Sequence, residues 1–285
     1  MFDYDAERLR GVILEITRSS ISPEAWNWFQ DKLGLTEISA INTAFSVMPR
    51  KTGKGIIVIT PSEEQIIGEI KPGWSLQGWT ADRLCRVCFL MHLDSKDQTR
   101  YFKTIENLFL AAEMTELVAL YSSLPVLAHP EMWKMRCAEG IRSNIGTVLE
   151  AIMYENPYPA AHLDEKAWNQ LVMKAFFTDK NVNRIYGYDV RANAELALIL
   201  SDYAHERWAA GRSVNPLLWR STANFIDIRL KNDLEKVLSQ GDLKEKQAVA
   251  LTIFHSNSTE AKELLRNYSE LVSAIEKKEL TWDQV

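Results

Sequence analysis

Apolar residues recur at helical spacing along most of the chain. Ile141, Ile145, Val148, Leu149 and Ile152 share one stripe of a helix predicted over 132–153. Trp168, Leu171, Val172, Ala175 and Phe176 make a second stripe, and Leu196, Leu200 and Tyr203 a third. Helix starts precede many such runs. Ser22-Pro23, His129-Pro130 and Asn215-Pro216 place proline at a first helical position, and Ser22 and Asn215 are good caps. Ser62-Glu63-Glu64-Gln65 and Asp242-Leu243-Lys244-Glu245 have capping-box spacing. The pattern predicts about a dozen helices with short connections, hence an all-α fold. Its expected form is an antiparallel helical array, with an irregular HEAT- or armadillo-like solenoid as the variant. No repeat of fixed period supports a named repeat class.

Residues 49–78 break this pattern. Lys51-Thr52-Gly53-Lys54-Gly55 followed by Ile56-Ile57-Val58-Ile59 reads as a loop and a short β segment, and Lys71-Pro72-Gly73-Trp74 as a turn. The expected organisation is a helical portion over 1–48, a loop or hairpin-like connector over 49–78, and a helical body over 79–285, all within one domain as the alternative.

Composition narrows the class. Twelve glycines and nine prolines in 285 residues fall below ordinary usage, which favours helices. A 46% hydrophobic fraction excludes disorder, and three cysteines exclude a disulfide scaffold. The net charge of −5 argues against nucleic-acid binding. The apolar stretch from Leu84 to Leu93 is interrupted by Arg86 and His92 and is too short to span a bilayer, so direct membrane insertion is not expected. The acidic start, Met1-Phe2-Asp3-Tyr4-Asp5, lacks the positive region of a signal peptide. A cytoplasmic protein with free thiols is the expectation.

The short motifs carry little chemistry. Cys85-Arg86-Val87-Cys88 has C-x-x-C spacing but lies in a helix that is apolar nearly all round, with only Cys137 elsewhere, so both are read as small core residues. Lys51–Gly55 lacks the phosphate-loop spacing and precedes its β-like run instead of following it. Asp202 and His205 stand at i, i+3, but no second such pair supports a metal site. No catalytic motif, metal site or cofactor site emerges.

Arginines are more informative. Arg207 follows Leu196, Leu200 and Tyr203 on the apolar stripe, where a charge needs a carboxylate, carbonyls or an anionic ligand. Arg136, Glu139, Arg142, Ser143 and Asn144 crowd the first half of the 132–153 helix, away from its stripe, as a solvated face or a polar pocket lining. Arg83 and Arg86 pose the same question on their apolar helix. Tyr154-Glu155-Asn156-Pro157-Tyr158-Pro159 reads as a rigid corner, since residues before proline avoid helical geometry.

Several of these segments, in this order, resemble the EboA family: Arg136 to Asn144, Asn156-Pro157-Tyr158-Pro159, Ala167 to Ala175, Leu200 to Arg212 and Asn215 to Arg220, with Trp79 to Arg86 a weaker match upstream. The resemblance covers about 79–268 and leaves the first 75 residues unassigned. It implies a metabolite-traffic protein, encoded beside several enzymes and linked to moving or maturing a secondary metabolite. It transfers no catalytic residue, and Cys85 and Cys88 depart from it at small apolar positions.

The leading expectation is a non-catalytic protein that binds a small polar or anionic metabolite or docks pathway enzymes. Its candidate contacts are Arg136, Glu139, Arg142, Asn144, Asn169, Asp202, His205 and Arg207, with aromatic walls from Trp168, Tyr203 and Trp208. The alternatives are a pathway enzyme using Glu139, Asp202 and His205 in acid–base roles, and a helical interaction scaffold.

Overall fold

A computed structural model describes residues 1–285. The fold is all-α, with sixteen α-helices, five 3-10 segments and one isolated bridge between Ile56 and Thr80. No helix is long and apolar enough to cross a membrane. The chain divides after Asp164 into two compact units, Met1–Asp164 and Glu165–Val285.

The first unit contains α1 (Ala6–Ser20), α2 (Pro23–Gln30), α3 (Ile38–Thr52), α4 (Pro61–Ile70), α5 (Ala81–Met91), α6 (Gln98–Ala111), α7 (Met114–Ser123), α8 (Lys134–Ile141), α9 (Gly146–Met153) and α10 (Tyr158–His162). Its core is built around α5. Every α5 residue except Arg83 is buried, the consequence of an apolar pattern that leaves no polar face. Helices α1, α3 and α7 pack around it. One charge is carried inside: Arg86, 1% exposed, bonds Asp82 at 2.8 Å and the Phe45 carbonyl at 3.0 Å, with Glu116 at 3.8 Å. Arg83 is only partly buried, donating to Ser122 Oγ at 2.9 Å and stacking on Trp79.

The cysteines are core residues, as the apolar surroundings imply. Cys85, Cys88 and Cys137 are buried and unpaired. Burial pushes all three thiols up, Cys88 to about 12. Since the thiolate is the reactive species, none should be alkylated by iodoacetamide in the native protein, and all three should react once it is unfolded. Intact mass reads this directly; a native adduct on any of them would contradict the burial.

Residues 50–78 are more helical than expected. Helix α3 runs to Thr52 and ends at Gly53, whose φ of 82° suits glycine alone. The Ile56–Ile59 run forms no strand. It contributes the single bridge, with Ile57 N–H on the Trp79 carbonyl and Ala81 N–H on the Gly55 carbonyl. Pro61 stops it and opens α4, capped by Thr60 in a box with Glu63. Ser62 cannot be the cap because the proline before it already occupies the first turn.

The single helix expected over 132–153 is three pieces: a 3-10 turn at Pro130–Trp133, then α8, then α9. Ile145 leaves the core stripe and stands half-exposed, while Ile141, Val148, Leu149 and Ile152 remain buried. Ser143 explains the break, its hydroxyl accepting from Ile145 N–H at 3.1 Å and offering the backbone a non-helical bond. Gly140, on the last turn of α8, lets the helix close on its neighbours: an added Cβ would lie 2.5 Å from Tyr121 Cε1 and 2.6 Å from Ile152 Cδ1. Gly140→Ala should therefore destabilise by about 1–3 kcal/mol through overpacking, despite alanine's better helix propensity. A denaturation midpoint at or above that of the wild type would refute the close fit.

The Asn-Pro-Tyr-Pro corner is held from inside. Asn156, 3% exposed, donates to the carbonyls of Tyr121 and Ala151 and accepts from Tyr158 N–H, while the Tyr158 hydroxyl donates to the Pro130 carbonyl at 2.5 Å. The corner is thereby tied to its own backbone at Ala151 and Tyr158 and to the carbonyls of Tyr121 and Pro130 in neighbouring segments.

The second unit contains α11 (Glu165–Phe177), α12 (Ala194–Ala209), α13 (Ile228–Gln240), α14 (Leu243–His255), α15 (Thr259–Lys262) and α16 (Ser269–Glu276). Asn215 and Pro216 start a ten-residue 3-10 segment, Pro216–Phe225, in place of an α-helix. That segment packs on α12 and α14, with Trp219 fully buried. Helices α13 and α14 form a hairpin, α14 carrying the Asp242–Glu245 capping box.

Candidate functional site

The 3-10 crossover sets up the polar arrangement in the second unit. By turning the chain between α12 and α13, it allows those helices to run side by side in the same direction. Three cross-helix contacts advance together along both: Asp202 with Arg229, His205 with Asp233, and Trp208 with Lys236. Spacings of three and four keep each set on one helical face.

The middle contact is the most specific. Asp233 is 5% exposed, and its two oxygens accept from different residues of α12. Ser201 Oγ, fully buried, donates to Oδ2 at 2.6 Å, and His205 Nε2 lies 2.5 Å from Oδ1. A carboxylate only accepts, so the proton between them sits on Nε2 and the neutral imidazole keeps its lone pair on Nδ1. The His205 side chain is 49% exposed, and Nδ1 has no partner within the protein. Thus a buried carboxylate, braced by a buried hydroxyl, fixes the tautomer and tilt of an imidazole that faces solvent.

Aromatic and cationic groups extend this ridge. The Trp208 ring centroid is 5.4 Å from the His205 ring and 5.9 Å from the buried Trp219, on which it stacks. Lys236 Nζ lies 3.9 Å from the centre of Trp208 and has no carboxylate partner. An ammonium, an oriented imidazole and a flat apolar face therefore lie within one side chain's reach of each other. The ammonium offers a charged donor to an anion, the outward Nδ1 an acceptor for a hydroxyl or N–H, and the Trp208 ring a surface for a carbon skeleton.

The other residues singled out from the sequence have different surroundings. In the first unit Arg136 is fully occupied, bonding both Glu106 oxygens at 2.7 and 2.5 Å and Glu139 at 2.7 Å, and lying over Phe109. The Glu106 bonds push its guanidinium up, against the opposing effect of burial. Glu139 and Asn144 are exposed, as is Arg142, which caps the end of α8. In the second unit Asn169, 3% exposed, exchanges side-chain bonds with Asn193, the cap of α12. Asp202 is exposed and paired with Arg229. Arg207 is half-buried, donates from Nε to the Ser213 carbonyl at 2.8 Å and lies over Tyr203. It sits about 200° around α12 from His205, on the opposite side of the helix. Of the eight candidates, Asp202 and His205 share the ridge. Ser201, Asp233 and Lys236 are additions; Ser201 lies in the family-like segment Leu200 to Arg212, and no motif marks Asp233 or Lys236.

The profile of the EboA family, described as metabolite traffic protein EboA, matches residues 10–223. No curated protein and no solved structure matches the chain significantly. The matched span includes α12, with Ser201, His205 and Trp208, and stops before α13. With three quarters of its length covered by that profile, the chain belongs to the EboA family.

Proposed function

We propose that this EboA-family chain carries a small anionic intermediate of a secondary-metabolite pathway without transforming it. The cargo docks on the α12–α13 ridge, its charge against Lys236, a hydroxyl or N–H group of it donating to His205 Nδ1, and its carbon frame against Trp208. The supporting observation is the clamp on His205. Core packing does not need a half-exposed imidazole, and sequestering Asp233 from water is costly unless its bonds are well used. Two buried-side bonds to one carboxylate, spent on orienting one outward nitrogen, are what a recognition site requires. Arg136 is excluded from direct contact in this reading because Glu106 and Glu139 already hold it; Arg142 keeps a free guanidinium on the first unit.

The same clamp favours one second reading. A histidine with one nitrogen on a carboxylate and the other open has the geometry of a general base, which would make the chain a pathway enzyme. In that case His205 works with Asp233, not with Glu139 and Asp202. The two readings part in one experiment. Protein purified gently from its native source is weighed by native mass spectrometry, and the released compound is offered again to fresh protein. A reproducible added mass, recovered unchanged, is the expected result. A compound returned at a new mass makes the protein an enzyme. Protein that is reproducibly bare refutes the carrier.

A further inference from the structure

The second unit holds another cavity, outside the part of the chain that the family profile matches. Its volume is about 670 Å³, within the range of small-molecule sites. Phe254 from α14, Leu265 from the 3-10 segment Glu263–Asn267 and Val272 from α16 supply an apolar lining. Ser269, Val272, Ser273 and Glu276 follow i, i+3, i+4, i+7, so one face of α16 forms a wall.

Charge along this cleft is graded. Lys262, at the end of α15, and Arg266, in the 3-10 segment, line it as well. Lys262 is exposed and has no carboxylate partner, and Arg266 engages Glu263 through one terminal nitrogen, leaving its other donors open. Helix α16 begins at Ser269, three residues after Arg266, and no side chain caps its first N–H groups. The single acid, Glu276, lies about 10 Å further along the α16 axis. Two cations, a hydroxyl and an uncapped helix start thus meet an apolar trough whose far end is acidic.

We propose that this cleft binds an amphipathic carboxylate: an apolar body of about 20 heavy atoms or fewer, seated on Phe254, Leu265 and Val272, with its carboxylate at Arg266 and Lys262. A guanidinium fork suits that headgroup, and the neighbouring acid disfavours the reverse orientation. The site is separate from the His205 ridge and stands whether or not the ridge takes cargo.

Titration of the full-length protein with cis-parinaric acid, a fluorescent fatty carboxylate, tests this. Saturable binding is expected, displaced by laurate but not by dodecanol or dodecylamine. Ser269→Trp, which fills the trough from an exposed position, should abolish it. Lys262→Glu with Arg266→Glu should weaken it at least fivefold, about 1 kcal/mol by RT ln of that ratio. His205→Ala should leave it unchanged, which keeps this result distinct from any failure at the ridge. All four residues are at least partly exposed, so unchanged circular dichroism should confirm that each variant folds. No saturable binding, equal displacement by dodecylamine, or full affinity in either cleft variant would overturn the proposal.

Discussion

Arg86→Met is expected to destabilise the first unit by about 3–5 kcal/mol, among the largest effects of any single substitution. The reason is what remains behind. Arg86 is 1% exposed, and with it gone Asp82 keeps a carboxylate inside the core, 4% exposed, with no cation to answer it. Glu116 loses a weaker partner but retains its bond from Glu113 N–H at 2.8 Å. The Phe45 carbonyl loses its donor as well. Methionine fills most of the volume, so the loss is electrostatic and not a cavity. Pairing Arg86→Met with Asp82→Leu should therefore recover at least about 1 kcal/mol, since removing both charges removes the desolvation penalty. Amide exchange of α5 in each variant measures both numbers in the unit concerned. A single variant within about 1 kcal/mol of wild type would show that water reaches Asp82.

Trp219→Ala should cost the second unit about 3–5 kcal/mol. Trp219 is fully buried in the 3-10 crossover, against α12 and α14. A run of this length in 3-10 geometry has poorer hydrogen bonds than an α-helix, so side-chain packing has to hold it. The consequence extends to the ridge. Trp208 stacks on Trp219 at 5.9 Å, and both Lys236 and His205 are placed around Trp208. Without that support, exchange should rise along α12 and α14, and the His205 ring resonances should shift although no residue touching Asp233 has changed. Trp219→Phe should fall between the two, keeping an aromatic wedge with less area. If the alanine variant left α12 exchange and the His205 signals unaltered, the crossover would not be what positions the site.

Local signals in the sequence account for the fold class and many element starts. Ser22 with Pro23, and Asp242 with Glu245, are the caps that form, because capping is a contact over three residues and is written in adjacent positions. The all-round apolar character of α5 likewise reads directly as burial. What the periodicity misses are interruptions fixed by one residue, such as Ser143 dividing α8 from α9 or Pro61 moving the α4 cap to Thr60. Arg207 illustrates a different limit. It continues the Leu196, Leu200, Tyr203 stripe in register, but Leu196 and Leu200 are buried while Tyr203 and Arg207 are only partly so. A stripe marks a face, and the helix outlasts the surface it packs on.

The site was legible in one half only. His205 and Asp202 are singled out by their spacing on α12. Asp233 lies 28 residues beyond His205 and looks like part of an ordinary solvated helix face. Its role follows from α12 and α13 running parallel, which depends on a 3-10 crossover where an α-helix start was expected. No local pattern encodes that direction. Glu116 joins Asp82 and Arg86 in the same way, through packing of α7 on α5.

Cargo carriage at the His205 ridge is tested most directly by comparing the native mass of wild-type protein and His205→Ala, each purified gently from the native source. Asp233 and Ser201 remain bonded to one another in that variant, so its fold should persist, with circular dichroism as the check. The wild type should carry a reproducible added mass that His205→Ala lacks. The same added mass on a folded His205→Ala protein would contradict the account.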